Sequence, residues 1–203
     1  MLEAGGWLRD QAAGLAAWRL QPPLRVVALV EQPGSSALAS RLQAGWAALG
    51  LSCGAVAAAP PLWDEAPAAD VWLWRADAQV LARWWPREGG APLVPLLAQP
   101  TSLVEAYRAL KTLRLASLSP LVLALAQAPG EEPALQAALT ALGRTCHQHL
   151  GWRPTVWTLG YYEGPLPQRE AQADASMAAQ VLETAWLLEA RALGPERRPS
   201  AAC

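Results

Sequence analysis

Leu24-Arg25-Val26-Val27-Ala28-Leu29-Val30 reads as a buried β-strand, Leu38 to Leu49 reads as a helix, and Glu31-Gln32-Pro33-Gly34-Ser35-Ser36 joins them. A strand, a short glycine-containing turn and a helix N-terminus form the layout that binds nucleotide phosphates, because free backbone N–H groups point at the anion. A working phosphate loop also needs several glycines for close backbone approach and a lysine to reach the β- and γ-phosphates. This turn has one glycine, Gly34, and no lysine. Pro33 has no N–H to donate, and Glu31 repels phosphate. Gly34, Ser35 and Ser36 are therefore read as a degenerate nucleotide-binding loop, and the sequence predicts a nucleotide-binding fold that has lost its hydrolysis.

Outward from this unit the chain alternates apolar runs with helical patterns. Leu51 to Ala58 is a weak strand, Asp70 to Trp74 a compact apolar one, and Pro92 to Ala98, Leu121 to Ala126 and Thr155 to Tyr161 follow. Between them, Asp77 to Trp85, Ser102 to Leu113 and Pro133 to Leu150 read as helices. Pro86 ends the first, Thr101 or Ser102 caps the second with Glu105 in its first turn, and Gly151 ends the third. Ala171 to Leu193 reads as a final helix, with Val181, Leu182, Ala185, Trp186 and Leu188 at helical spacing. Short apolar strands alternating with helices predict a single α/β domain: a mostly parallel sheet covered by helices on both faces. The boundaries are an N-terminal arm over 1–23, the α/β domain over 24–194, and a polar tail over 195–203. In the arm, Trp7, Leu8, Ala12, Leu15 and Trp18 recur at three- and four-residue steps, and Gln21-Pro22-Pro23 breaks the chain before the first strand.

The bulk numbers exclude several classes. A chain of 203 residues that is 53% hydrophobic and 16% charged folds around a core. With 16 basic and 17 acidic residues, the net charge of −1 gives no electrostatic case for nucleic acid. Cys53, Cys146 and Cys203 show no CxxC spacing, which points to a reducing compartment and no zinc site. No signal peptide or apolar run of transmembrane length is evident, so the expected location is the cytoplasm, with any membrane contact peripheral. Eleven Trp and no Phe is an unusual aromatic set; most of these indoles are expected in the core, with a partner surface as the alternative.

Four segments together resemble the MinD/ParA-like ATPases, and within them the FlhG family of flagellar-number regulators. Asp10-Gln11-Ala12-Ala13-Gly14-Leu15 is similar to the Asp-Gln-Ala-x-x-Leu-Arg motif at the N-terminus of that family. Arg25 to Gly50 is the strand, loop and helix around the lost phosphate loop. Gln99-Pro100-Thr101-Ser102-Leu103-Val104-Glu105-Ala106-Tyr107 resembles the family's Glu-Pro-Thr-Ser-x-x-Asp-Ala-Tyr run, and Leu159-Gly160-Tyr161 its last strand end. The resemblance implies a MinD/SIMIBI-like P-loop NTPase fold and a partner, the signal-recognition-type GTPase FlhF, engaged by Asp10, Gln11, Ala12 and Leu15. Gln11 is the residue that would orient the attacking water in the GTPase site. The terminal Arg of the motif is Ala16 here, with Arg19 nearby.

The departures from the family fall on its nucleotide chemistry. Ser35 stands where the phosphate-loop Lys is expected, and Ser36 where a Mg²⁺-binding Thr is expected. Ala55 to Ala58 lacks the Asp-x-Asp pair that ends the family's second strand. Arg75 stands where an Asp orients Mg²⁺ at the end of the third, and Ala124 and Leu125 where an Asn reads adenine. The interval between the first and third strands is also short for the family. ATP and Mg²⁺ are the family's cofactors; none is expected here, and neither is an enzymatic activity. The implied function is control of flagellar biosynthesis through protein contact, as a pseudoenzyme. The alternatives are a divergent ATP-binding member and a MinD-like scaffold of another polar or secretion system, for example a cellulose-synthesis accessory. Dimerisation is left open.

Other candidate groups have plainer readings. His147 and His149 in Cys146-His147-Gln148-His149 lie two apart on a helix, whereas helical metal pairs prefer four. Trp72, Trp74, Trp84 and Trp85 are expected to pack rather than to anchor a partner. Asp64, Glu65, Asp70 and Asp77 are expected to be solvated loop carboxylates. The final helix has no strongly basic face, although Arg191, Arg197 and Arg198 follow it, and is expected to dock on the sheet rather than on lipid.

Overall fold

The computed structural model describes residues 24–57, 59–60, 63, 66, 68–159 and 167–188, the side chains of 167–173 excepted. The N-terminal arm with Asp10, Gln11, Ala12 and Leu15, the polar tail, Asp64, Glu65 and Gly160-Tyr161 lie outside the described residues. Seven strands form one sheet: β1 (Leu24–Val30), β2 (Cys53–Val56), β3 (Val71–Ala76), β4 (Leu93–Leu97), β5 (Leu121–Leu125), β6 (Thr155–Leu159) and β7 (Trp186–Leu188). Five helices flank it: α1 (Ser35–Ala48), α2 (Ala78–Trp84), α3 (Pro100–Leu115), α4 (Glu132–Leu150) and α5 (Pro167–Glu183). The strand order is β2-β3-β1-β4-β5-β6, all parallel, and β7 runs antiparallel beside β1. This is the α/β architecture read from the sequence, with helices on both faces of a mostly parallel sheet.

The alternation along each strand builds two cores. On β1 and β3, Val26, Ala28, Val30, Trp72, Trp74 and Ala76 pack beneath α2, α3 and α4. Val27, Leu29, Val71 and Leu73 face the other way and pack beneath α1 and α5. Strands buried on both faces read as near-continuous apolar runs; the charged residues of these two, Arg25 and Arg75, fall near strand ends and are partly exposed. On the α1 side, the Gly45 backbone lies so close to α5 that a Cβ would stand 2.6 Å from that of Ala178. The Trp46 indole N–H donates to the Ala178 carbonyl at 2.9 Å, and Arg41 pairs in fork geometry with Asp174. The last helix therefore docks on the sheet, as its sequence suggests.

Four local expectations are corrected. The final helix does not run from Ala171 to Leu193: it spans Pro167–Glu183, and Trp186 and Leu188 belong to β7, paired with Val26 and Leu24. The Thr184 hydroxyl donates back to the Val181 carbonyl at 2.7 Å, and the Thr184 and Ala185 N–H groups close the last turn. Helix α3 begins at Pro100 with Gln99 as N-cap, not at Thr101 or Ser102. Proline supplies the first helical residue because its missing N–H is not needed there. Ser102 is instead buried, its hydroxyl accepting the Leu97 N–H at 2.9 Å and tying the end of β4 to the helix. Glu105 is consequently outside the first turn, and accepts from Arg108 at 2.7 Å.

Among the described residues between β2 and β3 there is no α-helix. Trp63 fills that face, its ring edge-on to Trp72 at 5.6 Å and to Trp74 at 5.1 Å. Trp85 stacks on Trp74 at 6.1 Å, and Trp186 of β7 meets Trp85 at 5.8 Å. Five indoles thus cluster where the described residues of the crossover form no α-helix; Trp72, Trp74 and Trp85 are core residues as expected, whereas Trp84, also expected to pack, is exposed.

Candidate functional site

In an open parallel sheet, ligands bind outside the carboxyl ends of the strands where the strand order reverses. Here that point lies between β1 and β4, which share only the Leu29–Leu93 register pair. The segment that enters it is the four-residue loop Glu31 to Gly34. Gln32 to Ser35 forms a type II turn, with Pro33 at the second position, Gly34 at the third (φ 93°, ψ −16°), and the Ser35 N–H donating to the Gln32 carbonyl at 3.0 Å. The Pro-Gly pair was a readable signal for this turn, since glycine alone adopts that φ without strain.

The chain's own groups fill the crevice. A Cβ on Gly34 would stand 2.9 Å from the Leu97 side chain, so the loop lies directly against the end of β4. The Gln32 side-chain amide donates to the Pro95 carbonyl at 2.5 Å and bridges the gap between β1 and β4. Arg75, one residue before the end of β3, donates from Nη2 to Glu31 Oε1 at 2.7 Å and to Ser36 Oγ at 3.3 Å. The guanidinium therefore lies beside the N-terminus of α1. A cation there opposes the helix dipole, and the Glu31 carboxylate offsets it. Because the Arg75–Glu31 pair is partly exposed, it contributes roughly 0–1 kcal/mol to stability; its effect is on which charge can approach the helix.

The structure brings Gly34, Ser35 and Ser36 together at the start of α1, but not as a phosphate cradle. Ser35 is buried and its N–H closes the turn, while the Ser36 hydroxyl accepts from Arg75. An ATP phosphate chain with Mg²⁺ does not fit these residues: the loop is short, Leu97 abuts its glycine, and an Arg–Glu pair spans its mouth. The proximity of Arg75 to Ser36 was not readable locally, since 39 positions separate them in sequence.

An open crevice of about 380 Å³ lies at the same end of the sheet, on the α2–α3 side, lined by Glu31, Gln32, Asp77, Gln79, Glu105 and Arg108 among others. Asp77 is not a free acid: its carboxylate caps α2 by accepting from the Gln79 and Val80 N–H groups at 2.8 and 2.9 Å. Asp70 accepts from the Ser52 hydroxyl and N–H at 2.6 and 2.8 Å, and these bonds hold its carboxyl below the usual range. Asp70 and Asp77 are thus exposed, as the sequence suggests, and also hold structural hydrogen bonds, a distinction that needs the partner's position.

Among the described residues no three His, Cys, Asp or Glu side chains gather as metal ligands, and no helix is long and apolar enough to cross a membrane. Cys146 is buried on the inner face of α4, and burial pushes its thiol up to about 11. At pH 8 it then holds about a hundredfold less thiolate than an ordinary cysteine. Iodoacetamide is expected to leave Cys146 unmodified in the folded protein and to label it in denaturant, as read by peptide mass mapping. Rapid labelling in the folded state would contradict its placement.

Fold and site together define an α/β protein with the layout of a phosphate-loop domain whose anion-binding end is occupied by its own side chains. No protein-family model matches the chain, and no curated protein sequence matches it.

Proposed function

We propose that this chain is a degenerate relative of the FlhG regulators, a pseudoenzyme that acts in flagellar biosynthesis by contacting an FlhF-type GTPase rather than by hydrolysing ATP. The observation that carries the non-hydrolytic half is the Arg75–Glu31–Ser36 contact over the start of α1. It joins the two positions where the resemblance would place the Mg²⁺-orienting Asp and the Mg²⁺-binding Thr, and puts a fixed cation there instead. The GTPase half rests on the sequence of the arm, where Asp10, Gln11, Ala12 and Leu15 resemble the family's activator motif. The chemistry of that half is positioning: a glutamine side chain inserted into the GTPase site orients the attacking water. The proposed location is the cytoplasm, with the resemblance implying peripheral contact at the cell pole or the inner membrane.

The non-hydrolytic half is tested by equilibrium dialysis against ATP and Mg²⁺. No binding is expected for the wild type at millimolar nucleotide. None is expected for an Arg75→Asp, Glu31→Ala double variant either, because the short loop and Leu97 still fill the cradle. Saturable binding by the wild type would favour the divergent ATP-binding reading instead. The GTPase half is tested by GTP turnover of the cognate GTPase with the chain added.

A further inference from the structure

The parallel order of the sheet ends in two outer strands, β2 and β6. Strand β5 is buried along its whole length, but its neighbour β6, Thr155-Val156-Trp157-Thr158-Leu159, meets solvent on both faces. Thr155 is exposed on one face, Val156 (36%) and Thr158 on the other, and Trp157 is partly buried. An outer strand presents a row of N–H and C=O groups, and proteins guard such an edge with lysines, prolines, bulges or very short strands. Strand β6 has none of these devices. Its five residues carry no charge and no proline, and they keep an unbroken one-to-one register with β5. The other outer strand, β2, is four residues long and contains Gly54, which weakens a strand.

One contact fixes the direction of the hydrogen-bonding groups along β6. The Leu159 carbonyl accepts the Ala126 N–H at 3.2 Å, so Leu159 turns its backbone groups toward β5. Successive residues of a strand turn these groups to opposite sides. Trp157 and Thr155 therefore also face β5, while Val156 and Thr158 face outward, without a backbone partner among the described residues. Pro154, the next outward position before them, has no N–H, so the row of donors ends there. This row matches itself. When a second β6 is laid antiparallel about a two-fold axis at Trp157, Val156 of each copy stands opposite Thr158 of the other. Each such pair exchanges both of its N–H···O bonds, and no outward group of either residue is left over. Trp157 of the two copies then meets across the axis as a non-hydrogen-bonded pair, the closer kind, and Thr155 meets Leu159. Aromatic and β-branched cross-strand pairs stabilise a sheet, and an uncharged strand brings no like-charge repulsion across the axis. Pairing β6 with β6 also closes on itself, whereas β6 against β2 would leave a free edge at each end and polymerise.

We infer that β6 is a dimerisation edge whose occupant is the β6 of a second copy of this chain, joined antiparallel about Trp157 into one continuous sheet. The inference does not rest on the GTPase reading. The paired segment is short, so the dimer is expected to form as concentration rises. The test is sedimentation equilibrium of the full-length chain, with circular dichroism verifying the fold of each variant. The wild type is expected to pass from the chain mass toward twice that mass. Val156→Pro removes one outward donor from each copy and no bond to β5, a place where an edge strand accepts proline. It is expected to weaken the dimer at least about tenfold, the loss of two hydrogen bonds across the axis. A Val156→Lys, Thr158→Lys double variant is expected to be monomeric, and so is Val156→Glu, Thr158→Glu. Mixed in equal amounts, these two are expected to form a heterodimer, because each introduced ammonium then faces a carboxylate. A wild type that stays monomeric at every concentration would overturn the inference, the edge then being covered by another segment of the chain or by a different protein. A dimer that Val156→Pro and the lysine variant leave unchanged would put the interface elsewhere and overturn it as well. A mixture that stays monomeric would contradict the two-fold register. If Val156→Pro fails to fold, the lysine and glutamate variants decide the matter alone.

Discussion

Gly90→Ala is expected to lower the melting temperature by about 6–12 °C, from an overpacking cost of about 3 kcal/mol. A Cβ at this position would fall within the Thr184 carbonyl group, backbone against backbone, so no side-chain rotation relieves it. Thr184 leads into β7, which lies beside β1 at the start of the strand, on the edge that β4 approaches farther along. The contact therefore seats a strand, and moving it also disturbs Trp186 against Trp85 and the Trp85 indole N–H bond to the Gly90 carbonyl at 2.7 Å. The control is Gly143→Ala in α4, where a Cβ would meet nothing within 4 Å. Alanine at a helix interior with open space is expected to stabilise by about 0.5–1 kcal/mol. Thermal unfolding of the two variants separates close approach from backbone entropy. A Gly90→Ala protein that melts with the wild type would mean β7 is not seated as described.

Trp74→Ala is expected to destabilise the fold by about 3–5 kcal/mol, the usual range for emptying an aromatic core site. Trp74 is fully buried on β3 and joins Trp63 to Trp85. Removing it leaves a void between a connecting segment and a short helix, neither of which can collapse far. Its indole N–H is buried with no hydrogen-bond partner among the described residues. Trp74→Phe gives up ring volume but also deletes that unpaired donor, whose burial carries a penalty of about 1–3 kcal/mol. The phenylalanine variant is therefore expected to lie much closer to wild type than to the alanine variant in denaturant unfolding. A loss from Trp74→Phe as large as that from Trp74→Ala would show that the indole N–H is paired after all.

The parts of this fold that were legible in the sequence are those whose causes are local. The run Leu24 to Val30 announces a strand buried on both faces because, past Arg25 near its start, every position is apolar. Asp77 marks the start of α2 because its carboxylate accepts from the amides two and three residues on. Gly151, at φ 61°, marks the end of α4 because glycine tolerates the left-handed conformation. The misread elements depend on distant partners. Trp186 and Leu188 sit at helical spacing from Val181 and Leu182, and three residues are too few to show a strand's period; only the free edge of β1 makes them a strand. Ser102 resembles a helix cap until the Leu97 amide is found against its hydroxyl. At the site, the sequence already showed that the phosphate loop lacked its lysine and glycines. It could not disclose that Arg75, Gln32 and Leu97 occupy the cradle, because each contact crosses between elements. Trp63 is a similar case, a single indole of the connection between β2 and β3 that packs edge-on to Trp72 and Trp74.

The partly exposed Arg75–Glu31 pair contributes little to stability, and the groups that do hold the fold, β7 and the tryptophan cluster, lie on other parts of the sheet. On the proposed reading the loop Glu31–Gly34 is a retired nucleotide site, and the part that meets the GTPase is the arm with Gln11. The measurement that tests this most directly is GTP hydrolysis by an FlhF-type GTPase with the full-length chain added, beside Gln11→Ala and a version lacking residues 1–20. The account predicts stimulation by the wild type that disappears in both variants and does not depend on ATP. A folded wild-type chain that leaves GTP turnover unchanged would contradict it.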